Sequence, residues 1–389
     1  MLTLPLLATL RSPAGAAALA LAASLPLQAA QRLRTLALLR KELPADLAAA
    51  ALEMTLLRVH AAAKWSRGAA MWWTRPALEQ ASSELVARHR VRRFAAWDAV
   101  HDLCCSVGGD ALALALAGHA VTGIDLDPVR LALAEANAEV WGVSERMQWR
   151  YEDVTTTAIT PGAALFFDPG RRAGERRVWQ PRDYQPPLDT ARQWFGVAAG
   201  GGIKVAPGLD YDALPWPCEV EVVSLHGEVK EAVLWWGALQ QGTRSATLLP
   251  GGAALHWQAV PEVAVRPPGA FLYEPDGAVI RAHLVEQLAH QLDATKIDTD
   301  IAFLTSDALV ATPFARAFAV HETLPFNLKQ LRARLRSLDV GKVVVKKRGS
   351  PIDPQTLERQ LRLVGSRSLT VILTHIQGRP SVILGEPVG

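Results

Sequence analysis

The feature that most constrains this chain is the run Asp102-Leu103-Cys104-Cys105-Ser106-Val107-Gly108-Gly109-Asp110, followed by Val121-Thr122-Gly123-Ile124-Asp125. It reads as a strand, a glycine turn, a helix, and a second strand that closes on carboxylates. That is half of a nucleotide-binding parallel sheet. Gly108 and Gly109 let backbone approach a ligand with no Cβ in the way. A carboxylate at the end of the second strand can accept hydrogen bonds from a ribose. Asp125 and Asp127 compete for that role. Asp127 is followed by Pro128, the pattern of a helix cap with proline in the first turn, so Asp125 is the preferred ribose acceptor.

The same alternation continues down the chain. Strands are expected at residues 100–105, 121–124, 147–151, 164–167 and 203–206, the last after a glycine turn at 200–202. An antiparallel pair, 219–223 and 231–236, is expected through His226-Gly227. Strands alternating with helices predict a mostly parallel sheet covered on both faces. Residues before 95 read as helices: Leu33, Leu36 and Leu39, then Leu52, Leu56 and Val59, recur at helical steps. Pro76 suits the first turn of a helix over 77–90, whose late arginines suit the helix dipole.

At 389 residues more than one domain is expected. The boundaries predicted are an N-terminal helical domain over 1–95, a nucleotide-binding core over 96–240, a connecting region over 241–322 and an α+β module over 323–389. From Phe326 onward there are twelve Lys or Arg against four Asp or Glu, although the whole chain carries only +3. The last module is therefore basic and the rest mildly acidic. Three cysteines, two adjacent, exclude a disulfide framework, and no Cys/His spacing suits zinc, so no metal is expected. The apolar stretch 14–25 has no Lys or Arg before Arg11 and is bounded by Pro13 and Pro26. It is expected to be a packed alanine-rich helix, neither a signal peptide nor a membrane span, in a cytoplasmic protein.

Which nucleotide binds is a question of charge. The turn lacks the first and third glycines of a dinucleotide fingerprint. Asp102 and Asp110 crowd it with negative charge, which repels a pyrophosphate and welcomes a sulfonium and an amino group. S-adenosylmethionine is the expected cofactor.

The segment from Asp102 to Gly142, with Leu133-Ala-Glu-Ala-Asn137 near its end, resembles class I S-adenosylmethionine-dependent methyltransferases, in particular the branch of trimethylguanosine synthase and related RNA methyltransferases. Trp73-Thr-Arg-Pro-Ala-Leu-Glu-Gln-Ala-Ser82 is similar to a segment that precedes the core in that branch. Lys342-Val-Val-Val-Lys346-Lys347-Arg348-Gly349, with Asp353-Pro354 and the stretch from Leu369 onward, resembles the THUMP-like C-terminal domain of a bacterial methyltransferase family. The resemblance implies a Rossmann-like, seven-stranded methyltransferase sheet with an N-terminal helical domain and a small THUMP-like α+β domain. It implies that Asp102 and Gly108 line the methionine end of the cofactor, in one turn with Ser106 and Gly109. Asp125 would take the ribose, and Asp153 the adenine amino group. Asp168 and Pro169 would stand at the methyl acceptor. Ser106 occupies a position where the family more often has glycine.

Methyl transfer needs alignment more than acid–base help. Enzymes that methylate exocyclic amines usually follow strand four with a polar residue, two prolines and an aromatic. Here Asp168-Pro169 is followed by Gly170-Arg171-Arg172, so a stacking partner must come from elsewhere, with Trp72, Trp73 and Trp179 as candidates. Arg171 and Arg172 either bind phosphate near the acceptor or pair with Asp183 and Glu175; Arg176 and Arg177 extend the cluster. Lys346, Lys347 and Arg348 are candidate contacts to RNA phosphates. No Phe, Trp or Tyr follows Phe326, so such a module would read RNA shape. The expected function is methylation of a base in structured RNA, tRNA or rRNA, with RNA as partner and no membrane or metal. The alternative is a protein or small-molecule methyltransferase whose last module serves assembly. A third reading, a non-catalytic binder, is motivated by Ser106 and the missing second proline.

Overall fold

The computed structural model describes residues 2–170, 172–173, 176–177 and 180–388; for Arg172, Ala173, Arg176 and Arg177 it describes the backbone only. The chain forms two compact units, residues 1–218 with 232–241, and residues 219–231 with 242–389.

The first unit opens with helices α1 (Leu4–Arg11), α2 (Pro13–Ala23), α3 (Arg32–Glu42) and α4 (Ala45–Ala61). Thr3 and Ser12 cap α1 and α2, each followed by a proline in the first turn. Ala18, Leu19 and Ala22 of α2 are buried against Ala48, Ala51 and Leu52 of α4. Among the described residues no single helix is long and apolar enough to cross a membrane; α1 and α2 meet that test only as a pair bent by 80°. The helix expected over 77–90 is two helices, α5 (Arg75–Gln80) and α6 (Glu84–Val91). The break has a physical cause. Lys64 Nζ donates to the carbonyls of Leu78 and Ala81, and Trp65 Nε1 to that of Ser82, at 2.7, 3.2 and 3.0 Å. Those carbonyls are thus held by side chains outside the helix.

The sheet of this unit is built from β1 (Ala99–Leu103), β2 (Ala120–Asp125), β3 (Met147–Tyr151) and β4 (Ala164–Phe167). Helix α7 (Gly109–Leu116) joins β1 to β2, and α8 (Pro128–Trp141) joins β2 to β3. Two-residue strands β5 (Arg172–Ala173) and β6 (Arg176–Arg177) form a separate antiparallel ladder. Strand β7 (Gly200–Val205) follows, then β8 (Glu219–Leu225) and β9 (Glu228–Gly237). The order within the first unit is β3-β2-β1-β4-β7-β9, parallel except for β9. The class expected from the sequence holds, with a different strand count. Among the described residues six strands, not seven, form the main sheet of this unit; β8 belongs to the second, where it finds a parallel partner in a region whose pattern the sequence did not disclose.

Two strand ends differ from the expectation. β1 stops at Leu103, so Cys104 and Cys105 lie beyond the strand. Gly200, Gly201 and Gly202 are strand, not turn. A Cβ on Gly202 would sit 2.5 Å from the Trp235 ring, and one on Gly200 2.5 Å from the Trp236 carbonyl. The glycines let a tryptophan strand lie directly against β7. Residues before 95 share one hydrophobic cluster with this sheet: Leu57, Trp65 and Trp73 pack with Leu112, Leu133, Phe166 and Trp235.

In the second unit β8 pairs in parallel with β10 (Arg244–Leu249), and β10 antiparallel with β11 (Ala253–His256). A second sheet holds β12 (Phe271–Pro275), β13 (Thr295–Lys296), β14 (Leu304–Ser306), β15 (Ala315–Pro325), β16 (Val340–Lys347), β17 (Arg367–Ile376) and β18 (Arg379–Val388). Its order is β13-β14-β12-β15-β18-β17-β16. Helices α9 (Gly277–Arg281) and α10 (Val285–Gln291) are separated at His283, which takes a left-handed φ of +57°. Helices α11 (Leu328–Ser337) and α12 (Pro354–Leu361) are capped by Asn327 and Asp353. Their leucines join Val371, Leu373, Val382 and Leu384 in one cluster, while Ile372, Ile376 and Ile383 join Phe303 and Phe318 in another. Successive side chains of β17 and β18 alternate between these two layers. That is why both strands read as unbroken apolar runs.

Candidate functional site

A cavity of about 870 Å³ lies at the C-terminal ends of β1, β2 and β4, where ligands bind in open α/β sheets. One wall is the turn between β1 and α7. Gly108 there has φ +83°, and a Cβ on it would lie 3.1 Å from Ala134 Cβ and 3.2 Å from the Trp149 ring. Glycine is required at this position by conformation and by space. Two other residues of the turn are left-handed without being glycine: Cys104 (φ +62°) and Ser106 (φ +51°). What holds Ser106 is visible: its amide donates to Asp125 Oδ2 at 2.8 Å.

Asp125 ends β2 on the cavity wall. Its other oxygen, Oδ1, accepts from the Asp127 amide at 2.9 Å. Burial raises the Asp125 carboxyl above the usual carboxylate range, against the opposing pull of the two amides. Asp127 turns to the helix instead, where Oδ1 accepts from the amides of Val129 and Arg130 at 2.9 and 3.2 Å. The two competing carboxylates thus have separate occupations. Asp153 also lines the cavity; its Oδ1 accepts from the amide and hydroxyl of Thr155, and these bonds lower its pKa.

Asp168 and Pro169 follow β4 on the cavity wall. The Asp168 amide donates to the Leu103 carbonyl, and Oδ2 receives Lys204 Nζ at 2.7 Å. Lys204 is 3% exposed and Asp168 26%, so the pair reaches from the core to the cavity. Opposite stands the segment after α4: Arg75, Pro76, Glu79 and Ser82 line the cavity. Asn137 of α8 fastens this segment to the turn. It accepts from the Trp72 amide at 2.7 Å and donates to the carbonyls of Trp72 and Val107 at 3.1 and 3.0 Å.

Comparison with known proteins fits this geometry. Two Mycobacterium tuberculosis proteins, one from each of two strains and both described as uncharacterised S-adenosylmethionine-dependent methyltransferases, are 38% identical over 335 residues. The match covers 83% of this chain and 92% of theirs. The chain belongs to the S-adenosylmethionine-dependent methyltransferases. Within this methyltransferase, residues 98–168 match the family described as RNA cap guanine-N2 methyltransferase, 315–387 the THUMP domain-like family, and 3–61 a domain of unknown function. A Porphyromonas gingivalis protein, solved by crystallography as a candidate methyltransferase, shares the fold at a TM-score of 0.76 and 21% identity, over 96% of this chain and 99% of that one.

The cofactor of the methyltransferase is S-adenosylmethionine, and the residues present suit it. The cavity wall carries Glu79, Asp110, Asp125, Asp153 and Asp168 against Arg75 and Arg130, a surface suited to a cationic ligand. The charge does not sit where the sequence suggests. Asp110 pairs with the buried Arg90, whose guanidinium also lies 5.0 Å over the Phe166 ring. Asp102 is 1% exposed and stands behind the turn, off the cavity surface. Burial, then the Asp110 and Asp168 charges, push its carboxyl well up. Neither of its oxygens has a well-formed hydrogen bond among the described residues. Asp102 thus lies behind the cavity with its carboxyl raised, and the acidic lip is made by Asp125, Asp153 and their neighbours.

Other expectations change as well. Trp72 and Trp73 are not cavity residues: Trp73 is buried in the core, and Trp72 carries the Arg58 guanidinium 4.6 Å above its ring. Both fill the interior because the N-terminal helices share the sheet's core. Trp179 and Arg171 lie outside the described residues, as do the side chains of Arg172, Arg176 and Arg177. Pro186 and Pro187 line the cavity beside Asp168, brought there by paired backbone bonds between Gly170 and Gln185 at 2.8 and 2.9 Å. They add to the cavity wall near Asp168 the proline surface that Gly170 after Pro169 does not supply. Lys204 went unnoticed in the sequence, although a lysine inside Gly-Gly-Ile-Lys-Val-Ala is a buried-cation signal. In the second unit Lys347 is exposed, whereas Lys346 is paired to Glu274 at 2.5 Å and Arg348 lies 5.2 Å over the Phe303 ring.

Proposed function

We propose that this methyltransferase modifies an exocyclic amine of a base in structured RNA, in the cytoplasm. The observation that carries the reading is the Asp168–Lys204 pair. Lys204 fixes Oδ2 of a carboxylate at the cavity wall, and Oδ1 has no hydrogen bond among the described residues. A planar amine donating to Oδ1 has its lone pair aimed by that bond. The bound cofactor supplies an electrophilic methyl group on sulfur. As the new N–C bond forms and the S–C bond breaks, the amine loses a proton, and Asp168 is its first acceptor. Asp125 is assigned to the ribose and Asp153 to the adenine end. Gly108, Gly109 and Ser106 form the turn against the methionine end, and Pro169 the edge of the acceptor pocket. Asp102 supports that turn from behind.

RNA is favoured by the family descriptions matched over residues 98–168 and 315–387 and by the basic last module. A flipped base would enter beside Asp168. One observation favours a second reading, a protein or small-molecule acceptor: no aromatic side chain lines the cavity among the described residues, so a base would rest on proline surfaces alone. Mass spectrometry of nucleosides from cells with and without the gene separates the two. A methylated nucleoside that disappears with the gene, and is not restored by Asp168→Ala, supports RNA. An unchanged nucleoside profile, with methyl transfer to protein or small molecules intact, defeats it.

A further inference from the structure

The second unit contains a cavity of its own, about 580 Å³, which the methyl-transfer chemistry does not use. Ser224, His226, Glu274, Arg316, Lys346 and Arg348 line it. They come from strands far apart in sheet order. β16 stands four places from β12, about 19 Å at the usual strand spacing. Yet Lys346 of β16 meets Glu274 of β12 at 2.5 Å and lies 5.4 Å over the Phe318 ring of β15. The sheet therefore curves strongly and gathers basic side chains on its concave side. Ser224, on β8, lines the same cavity.

The charges in this cavity are unbalanced. Its two acids are engaged: Glu274 holds Lys346, and Asp276 Oδ1 accepts from the Ala278 amide as the cap of α9. Arg316 and Arg348 form no ion pair among the described residues. Arg348 is half-buried against Phe303, and burial pushes its guanidinium down from the usual range. The Glu274 charge opposes that shift, but Glu274 is already paired with Lys346, and a half-buried guanidinium with no ion pair of its own is costly unless an anion completes it. Independently, Ser224 is 1% exposed and its hydroxyl has no hydrogen-bond partner, although it lines the same cavity. Two guanidinium groups and an unsatisfied hydroxyl are the donor set of a phosphate site.

We propose that this cavity binds the phosphate of a nucleotide. That the nucleotide belongs to an RNA strand rests on the function proposed above; the phosphate site does not. The test uses the full chain with uridine monophosphate as probe and uridine as its phosphate-free control, followed by calorimetry at low salt. Binding of the monophosphate and not of uridine is expected, weakened about tenfold or more in Arg316→Gln and in Ser224→Ala. Arg316 is exposed, so its variant should melt with the wild type; Arg348→Lys, which keeps the charge but not the fork, should lie between Arg348→Gln and wild type. No binding of the monophosphate, equal binding of uridine, or variants indistinguishable from wild type would overturn the site. RNA affinity of the same variants identifies the source. A parallel loss assigns the phosphate to the strand, and an unchanged RNA affinity assigns it to a separate nucleotide. If wild type binds no RNA at all, the RNA reading fails while the monophosphate still decides the cavity.

Discussion

Two aspartates of neighbouring strands, Asp125 at the end of β2 and Asp102 in β1, show how a position converts one residue type into two chemistries. Asp125 is buried at the end of β2, yet two amides and the cavity face it. Asp125→Ala removes the acceptor for a ribose and also frees the Ser106 amide that the carboxylate holds. Cofactor affinity should fall by about 1.5–3 kcal/mol, read by calorimetry with S-adenosylmethionine. An affinity within twofold of wild type would assign the ribose elsewhere. Asp102, one strand away, is raised by burial first and by the Asp110 and Asp168 charges next. Its folded form keeps a proton that the unfolded chain releases above about pH 3.9. Its contribution to stability is therefore best below that pH and is lost as pH rises toward the folded pKa. Asp102→Asn should remove this loss: the variant should gain melting temperature over wild type from pH 5 to pH 8, and the gain should vanish near pH 4. A variant less stable at pH 8 than at pH 5, relative to wild type, would contradict a raised Asp102 carboxyl.

At the scale of elements, what matters is how the site is fastened. Asn137 is fully buried on α8 and ties the backbone of Trp72 to that of Val107, so one side chain links the N-terminal segment to the glycine turn. Asn137→Ala strands three buried backbone groups. A loss of about 2–4 kcal/mol in denaturant unfolding is expected, with weaker cofactor binding in the same variant. Lys204 plays the matching part for β4. In Lys204→Met the Asp168 carboxylate loses its orienting partner, and turnover should drop about tenfold or more while the Michaelis constant for the cofactor moves little. Equal losses in both constants would make Lys204 a structural residue only. At this same scale the sequence was most legible where capping and periodicity agree. β3, β4 and α8 lie where the pattern puts them, because Asp127-Pro128 starts α8 and a left-handed Gly142 ends it. It was least legible at 77–90 and 200–202. There Lys64, Trp65 and two tryptophans of β9, remote in sequence, decide the local backbone.

For the whole molecule the salient property is where charge gathers: a cavity rich in carboxylates in the first unit, and twelve Lys or Arg against four Asp or Glu from Phe326 onward. If RNA is the substrate, affinity for it should fall steeply with salt. A contact that neutralises three phosphates gives a log–log slope of about −2 to −3. Glutamine at Arg316, Lys347 and Arg348 together should flatten that slope, measured by fluorescence anisotropy, and leave cofactor affinity unchanged. A slope near zero for wild type would remove RNA as the partner.

The sequence by itself determined the sheet class, the glycine turn after β1 and the role of Asp127 as a helix cap, because each rests on contacts between near neighbours in the chain: period, cap and turn. Tertiary structure alone decided that Asp102 is buried behind the turn with its carboxyl raised, that Lys204 holds Asp168, that the N-terminal helices share the sheet's core, and that Lys346 and Arg348 face a cavity. Those outcomes depend on burial and on partners tens of residues away, and a side chain's charge and orientation are set by what surrounds it in space.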